Sequence, residues 1–247
     1  MTSRDTYPML VADAGNSSVK IALVARAGAK PRLLATLAHR DAGKFRTLWK
    51  SAQPRTACAA CVVPEVASTL RRACPPMIFI GPESPLNFST PVDRCTVGAD
   101  RLANMAEAAR EYGRSVLVAD FGTAATFDLL DARGIFAGGA IAPGLRTMAR
   151  SLAGATAQLP EAVLAMPRRF TGRNTAEALR AGVAGGFTGM VRHLIGHLAG
   201  GGARVVFTGG DARIAAKLAN STVTIDPLWT LKGIAVLGEL AAREASK

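Results

Sequence analysis

Leu10-Val11-Ala12-Asp13-Ala14-Gly15-Asn16 recurs 107 residues later as Leu117-Val118-Ala119-Asp120-Phe121-Gly122-Thr123. In each copy an apolar run ends in an aspartate, passes a glycine and reaches a small polar residue. Each copy is followed by a second strand-like run, at residues 19–25 and 124–130. The pattern is strand, tight polar turn, strand, once near the start of each half of the chain. Copies so far apart indicate two similar lobes, not a short-period solenoid. The expected division is residues 1–115 and 116–247.

The flanking sequence agrees. Residues 56–63 read as a buried strand, residues 64–73 as a helix and residues 77–80 as a short strand. Residues 82–96 carry Pro82, Pro85, Asn87 and Pro91 and read as a loop. From Gly98 a helix begins, because Leu102, Met105, Ala106 and Ala109 share one face at i, i+3, i+4 and i+7. In the second half, residues 175–190 and 191–198 read as Gly-rich helix, 204–207 as a strand and 228–242 as a closing helix. Strands alternate with helices, so the fold class is α/β.

The chain has 247 residues, 49% of them hydrophobic and 19% charged. That composition excludes a disordered chain and leaves enough length for a sizeable core. The most apolar stretch, residues 135–145, is short and broken by glycine and proline, so no membrane span is expected. Residues 1–8 are polar and lack a signal-peptide profile. Four cysteines in so long a chain are not a disulfide framework. These features together read as a soluble cytoplasmic protein. The net charge of +12 comes from 23 Arg and 7 Lys, scattered and clustering only as pairs. With 5% aromatics, this is an arginine-biased surface rather than a nucleic-acid groove, and it suits an anionic small ligand equally well.

The two Asp-x-Gly turns are the first chemical candidates. An aspartate at the end of a buried strand faces a cleft. The glycine lets backbone amides approach a phosphate, and Asn16, Ser17 or Thr123 adds polar donors. Such an aspartate can hold hydrated Mg²⁺ through water or a monovalent cation directly. One such motif is only a turn. Two, on duplicated lobes, point to a nucleotide clamped between lobes, since neither a P-loop nor a Gly-x-Gly-x-x-Gly fingerprint is present. Residues 138–144, shortly after the second of these turns, read as a further Gly-rich loop. Gly98-Ala99-Asp100-Arg101 is the third candidate. Asp100 is either a base for an attacking hydroxyl, with Arg101 forking onto a substrate oxygen, or a helix N-cap beside a surface arginine.

These motifs resemble, in order, those of the type III pantothenate kinases: Asp13-Ala14-Gly15-Asn16-Ser17, Gly98-Ala99-Asp100-Arg101, Asp120-Phe121-Gly122-Thr123-Ala124 with Thr126-Phe127-Asp128, and Gly138-Gly139-Ala140-Ile141-Ala142-Pro143-Gly144. Val62-Val63-Pro64, Gly172-Arg173-Asn174-Thr175 with Ala178, Thr208-Gly209-Gly210, and Asp226-Pro227-Leu228 with Leu231-Lys232-Gly233 add to the match, which runs from residue 10 to about 240. The resemblance implies two ribonuclease-H-like lobes of the acetate kinase, sugar kinase, Hsp70 and actin superfamily. It implies phosphorylation of the pantothenate 4′-hydroxyl by ATP in coenzyme A synthesis. Mg²⁺, a monovalent cation (K⁺ or NH₄⁺), and a homodimer with the substrate site at the subunit interface are implied too. Residue by residue, Asp100 is similar to the proton acceptor, and Gly98, Ala99, Asp100, Arg101 and Thr175 to substrate contacts. Asp13, Ala14, Gly15, Asn16, Ser17, Lys20, Gly122 and Thr123 resemble nucleotide contacts, with Asp13 reaching Mg²⁺ through water. Asp120 resembles the monovalent-cation ligand. Lys20 reads equally well as a plain strand lysine.

Three positions depart from the family pattern. Ser17 replaces a usual Thr and keeps the hydroxyl, and Ala125 replaces a Thr beside the second turn. Where the family has a Tyr seven residues before the Gly of Gly-Ala-Asp-Arg, this chain has Pro91, with Phe88 the nearest aromatic. The missing Tyr motivates an alternative, a related kinase for another hydroxylated substrate. Ala125 and the positive charge motivate a nucleotide-binding regulator of weakened activity. Cys58-Ala59-Ala60-Cys61 has metal or redox spacing but lies in an apolar strand with no second pair, so buried thiols are expected. His193 and His197 stand at i, i+4 without the adjacent glutamate of a zincin, and read as structural or surface histidines. Phe187, Met190 and Leu194 read as core or dimer interface.

Overall fold

Ten strands and the helices between them build two sheets of one design, in a computed structural model that describes residues 6–74, 76–200, 202–219 and 223–246. Most of residues 1–8, read above as a polar N-terminus, lies outside the described residues. The strands are β1 (Met9–Ala14), β2 (Val19–Val24), β3 (Arg32–Leu37), β4 (Thr56–Cys61), β5 (Ile78–Phe79), β6 (Val116–Phe121), β7 (Ala124–Leu130), β8 (Phe136–Pro143), β9 (Arg204–Thr208) and β10 (Thr224–Ile225). The helices are α1 (Phe45–Ala52), α2 (Pro64–Ala73), α3 (Ala99–Glu111), α4 (Leu145–Ala155), α5 (Thr175–Leu198), α6 (Ala212–Ala219) and α7 (Trp229–Glu244), with 3-10 turns at His39–Lys44 and Arg94–Thr96.

The first sheet runs β3-β2-β1-β4-β5 and the second β8-β7-β6-β9-β10. The repeated motif thus marks the same central hairpin in both: β1 pairs antiparallel with β2 and parallel with β4, and β6 does the same with β7 and β9. The central strands are buried on both faces, which is why they read as near-continuous apolar runs.

The chain divides into two compact units: Met1–Arg114 with Arg133–Ala137 and Leu228–Lys247, and Ser115–Ala132 with Gly138–Pro227. This differs from the expected split at residue 115. The closing helix joins the first unit because α7 packs on α3, where a Cβ on Gly233 would overlap the Ala103 carbonyl. Trp229 Nε1 donates to the Asn104 carbonyl at 3.0 Å, and Thr230 Oγ1 donates to Asn104 Oδ1 at 2.9 Å. The short segment Arg133–Ala137 joins it too, with Phe136 edge-on to Phe88 at 6.1 Å and Thr90 Oγ1 donating to the Phe136 carbonyl at 2.9 Å.

Two local expectations are corrected. The glycine-rich stretch Gly138–Gly144 is strand rather than loop up to Pro143, and Gly139 is required there because a Cβ would overlap the Phe127 carbonyl of β7. Residues 175–198 form one helix, not two, since its apolar side docks on a continuous core around Phe187 and Val191. Phe187 is buried in that core, and Met190 and Leu194, partly buried, pack against it. Among the described residues no helix is long and apolar enough to cross a membrane.

Candidate active site

In the first unit, Asp13 sits one residue before the end of β1, half-buried, with Lys20 of β2 directly opposite and Ala60 of β4 beside it. Opposed residues of a sheet share a face, so a carboxylate and an ammonium stand side by side at the mouth of the hairpin. In the turn, the Gly15 amide donates to the Ser18 carbonyl at 3.2 Å. The Gly15 carbonyl accepts from His39 Nε2 at 2.8 Å. A Cβ on Gly15 would meet nothing within 4 Å, so the protein's own packing does not demand glycine here. Asn16 and Ser17 of the same turn are both exposed. His39 was not singled out from the sequence, because nothing local ties it to a turn 24 residues earlier.

Gly98 is the N-cap of α3, which makes Asp100 the second residue of its first turn rather than the cap. The N-cap reading of Asp100 is therefore corrected. Its Oδ1 accepts from the Arg101 amide at 2.9 Å, and a Cβ on Gly98 would overlap that oxygen. Glycine is needed for the carboxylate to fold back over the start of the helix. The Arg101 guanidinium lies 5.9 Å from the centre of the Phe136 ring, the ring that Phe88 also packs against. Gly98, Ala99, Asp100, Arg101 and Phe88 therefore belong to one neighbourhood of the first unit. Pro91 is exposed and contributes no ring.

In the second unit, Asp120 has Thr126 opposite on β7 and Thr208 beside it on β9. Thr208 Oγ1 is buried and makes no hydrogen bond. Gly209, at φ +89°, is pressed against this site: a Cβ would overlap both Asp120 Oδ1 and the Phe121 carbonyl. The following Asp211 amide donates to that carbonyl at 3.0 Å, and Asp211 Oδ1 accepts from Arg146 Nε at 3.0 Å. Neither Arg146 nor Asp211 carried a sequence signal. The exposed Gly122–Thr123 turn is braced from α4, since the Thr123 carbonyl accepts from the Gly144 amide at 3.0 Å and from Thr147 Oγ1 at 2.6 Å. Ala125 is fully buried in the core.

Thr175 opens α5 behind the N-cap Asn174, whose Oδ1 accepts from the Glu177 amide at 2.9 Å. It lines a cavity of about 860 Å³ with Pro143, Thr147, Met148, Leu152 and Arg173. Thr175 and Asp100 belong to different units. Cys58 and Cys61, three residues apart on a strand, point to opposite faces, so their spacing cannot chelate. Burial pushes the Cys58 thiol up to about 12 and raises that of Cys61. Among the described residues no cluster of three or more metal-ligating side chains occurs.

The family model for type III pantothenate kinase matches residues 9–197. The chain belongs to that family. It is 37% identical to the type III pantothenate kinase of Rhodospirillum rubrum over 188 residues, 72% of this chain and 73% of that one. With the type III pantothenate kinase of Roseiflexus sp. (strain RS-1) the identity is 34% over 253 residues, 94% and 98% of the two chains. A Campylobacter jejuni structure described as a putative Baf family transcriptional activator superposes with a TM-score of 0.65 at 20% identity, covering 96% of this chain and 98% of that one. The α/β class expected from the sequence is present as two sheets of matching strand order, and the fold is shared with that structure. As a family member the chain is a kinase.

Proposed function

We propose that this chain phosphorylates the 4′-hydroxyl of pantothenate with ATP, the opening step of coenzyme A synthesis, and that Asp100 is the proton acceptor. An alcohol is a poor nucleophile at neutral pH. As the new O–P bond forms and the bond from the γ-phosphorus to the bridging oxygen breaks, the hydroxyl proton passes to the Asp100 carboxylate and ADP leaves. The observation that carries this reading is the carboxylate folded over Gly98 at the start of α3, half-exposed, with Arg101 next in the chain to meet the carboxylate of pantothenate. Ala99 and Thr175 complete the proposed substrate contacts. Ala14, Gly15, Asn16, Ser17, Lys20, Gly122 and Thr123 are the proposed contacts to nucleotide.

Two metal ions belong to the proposal. Asp13 would hold hydrated Mg²⁺, which supplies charge neutralisation on the transferring phosphates. Asp120 would take a monovalent cation. The fit there rests on the donors: a carboxylate beside the buried, unbonded hydroxyl of Thr208 and opposite Thr126 is all oxygen, the ligand type hard cations prefer. At Asp13 the corresponding neighbours are Lys20 and Ala60, which suit a phosphate and not a bare cation. A homodimer is also proposed. Leu152, Val163, Met166 and Phe170 of the second unit are exposed, Phe170 by 68%, and such apolar surface calls for a partner. The unpaired thiols suit a cytoplasmic location.

A second reading, a related kinase for another hydroxylated substrate, is favoured by Phe88, which packs edge-on against Phe136 near Arg101 but has no phenol to donate. The regulator reading keeps only the positive charge as its motive, since Ala125 is buried in the core. ADP release measured with pantothenate and with a panel of other hydroxy acids separates the readings. Pantothenate-dependent ADP release supports the first, and release only with another substrate supports the second. ATP binding without turnover on any of them would overturn both.

A further inference from the structure

His193 and His197 lie one turn apart on the exposed side of α5, close to its C-terminal end at Leu198. Their ring centroids are 4.2 Å apart and the planes are inclined by 31°. The separation is informative. A transition metal binds an imidazole nitrogen at about 2.0–2.1 Å, which puts the ring centroid about 3.2 Å from the ion. Two metal–nitrogen bonds at 90° to each other put the ring centroids about 4.5 Å apart, close to the 4.2 Å between these two rings.

The hydrogen bonding points the same way. His197 Nδ1 lies 3.2 Å from the His193 carbonyl. A carbonyl only accepts, so Nδ1 carries the hydrogen, and in the neutral ring Nε2 is the nitrogen with the lone pair. An imidazole that donates its other N–H to a backbone carbonyl is the usual condition of a metal-ligating histidine. The adjacent Arg192 directs its Nε to the Ala219 carbonyl at 2.9 Å, so this neighbouring donor is engaged elsewhere.

We propose that His193 and His197 form a peripheral two-imidazole site for a borderline divalent transition ion, Cu²⁺, Ni²⁺ or Zn²⁺, which clips together the last turns of α5. Imidazole selects these ions over Mg²⁺, whose preference is for oxygen. Among the described residues no third side chain completes a metal cluster, so water fills the other positions. Leu194 stands where a zincin has its glutamate, and the site has no general base for hydrolysis. It is also distinct from the proposed phosphotransfer chemistry: Thr175 is 18 residues away on the same helix, about 27 Å at 1.5 Å per residue. Because the two nitrogens come together only when the helix is formed, binding stabilises that form.

The test uses the full chain and Cu²⁺, with Ni²⁺ and Zn²⁺ in parallel. The chain has three histidines, so His193→Ala, His197→Ala and, as a control, His39→Ala cover them all. One Cu²⁺ bound per chain is expected, tighter than Ni²⁺ or Zn²⁺, undisturbed by excess Mg²⁺, with electron paramagnetic resonance couplings to two nitrogens. Either alanine at 193 or 197 should weaken binding about tenfold or more and leave one nitrogen coupling, whereas His39→Ala should keep both. Both helix positions are exposed, and circular dichroism verifies that the variants fold. Equal affinity in the His193→Ala/His197→Ala double variant, or a two-nitrogen signal lost only with His39→Ala, would overturn the site.

Discussion

The two units of this chain carry the same five strands in the same order, yet the carboxylates at their matching strand ends live among different neighbours. Asp13 has a lysine opposite and an alanine beside it, while Asp120 has a threonine on each side. Past the parallel neighbour the backbones diverge as well. In the first unit the Val62 amide returns directly to the Ala14 carbonyl at 3.1 Å. In the second, Gly209 inserts a positive φ, and Asp211, one residue further on, makes the matching bond to Phe121. Duplication preserves the frame, because strand pairing is a backbone property. Chemistry is reassigned by the few side chains that the frame sets beside each aspartate.

The helices that follow the fifth strands diverge further. The first turn of α3 carries Asp100, and the first turn of α7 carries no acid. The largest expected effect is therefore at Asp100. Asp100→Asn keeps the shape and removes the base, so kcat should fall by about 10²–10⁴ while ATP affinity and melting temperature are retained. Near-wild-type kcat would leave Asp100 as a helix-start residue and remove the main chemical difference between the two helices.

Gly209→Ala probes the backbone difference. The positive φ and the overlap with Asp120 should cost about 1–3 kcal/mol in urea unfolding, whereas Cys61→Ala at the matching position of the first unit should cost about 1 kcal/mol or less. Equal costs would mean that the second strand end is no more constrained than the first.

Thr208→Val removes a buried hydroxyl that has no partner. In K⁺-free buffer the variant should be as stable as the parent or more so, by about 1 kcal/mol. The K⁺ concentration for half-maximal activity should rise. An unchanged K⁺ response would detach the cation from this strand end and make the two aspartates alike.

The smallest effect concerns Glu107 of α3, fully buried and held through both oxygens by Arg110, each at 2.7 Å. Burial raises its carboxyl above the ordinary 4.5 in spite of that pairing. A raised acid contributes stability that is full below the ordinary value and is lost as pH rises through the folded value. Wild-type stability, followed by urea unfolding across the acid range, should therefore show this decline, and Glu107→Gln should flatten it. A parallel pH profile in the variant would assign the slope to other groups.

Much of this was legible in the chain. The two hairpins announce themselves because strand pattern and turn chemistry are local: an apolar run, an aspartate and a glycine within seven residues are enough. The start of α3 was equally plain, since Leu102, Met105, Ala106 and Ala109 take up helical spacing just after Gly98. Membership of the family was carried by the order of short motifs, which survives where any single motif is ambiguous. Other features depend on residues far apart in sequence, and no local pattern encodes them. The glycines of Gly138–Gly144 look like a loop until β7 is seen pressing on Gly139. The closing helix reads as part of the second half until its Gly233 meets Ala103. Thr208 is an ordinary strand residue until register sets its hydroxyl beside Asp120, and Phe88 is a loop aromatic until Phe136 brings it to the ring beneath Arg101. The sequence by itself determined the elements, their duplication and the carboxylates at their ends. Only the tertiary structure decided which neighbours each carboxylate has, because register and close approach are properties of pairs that the chain brings together by folding.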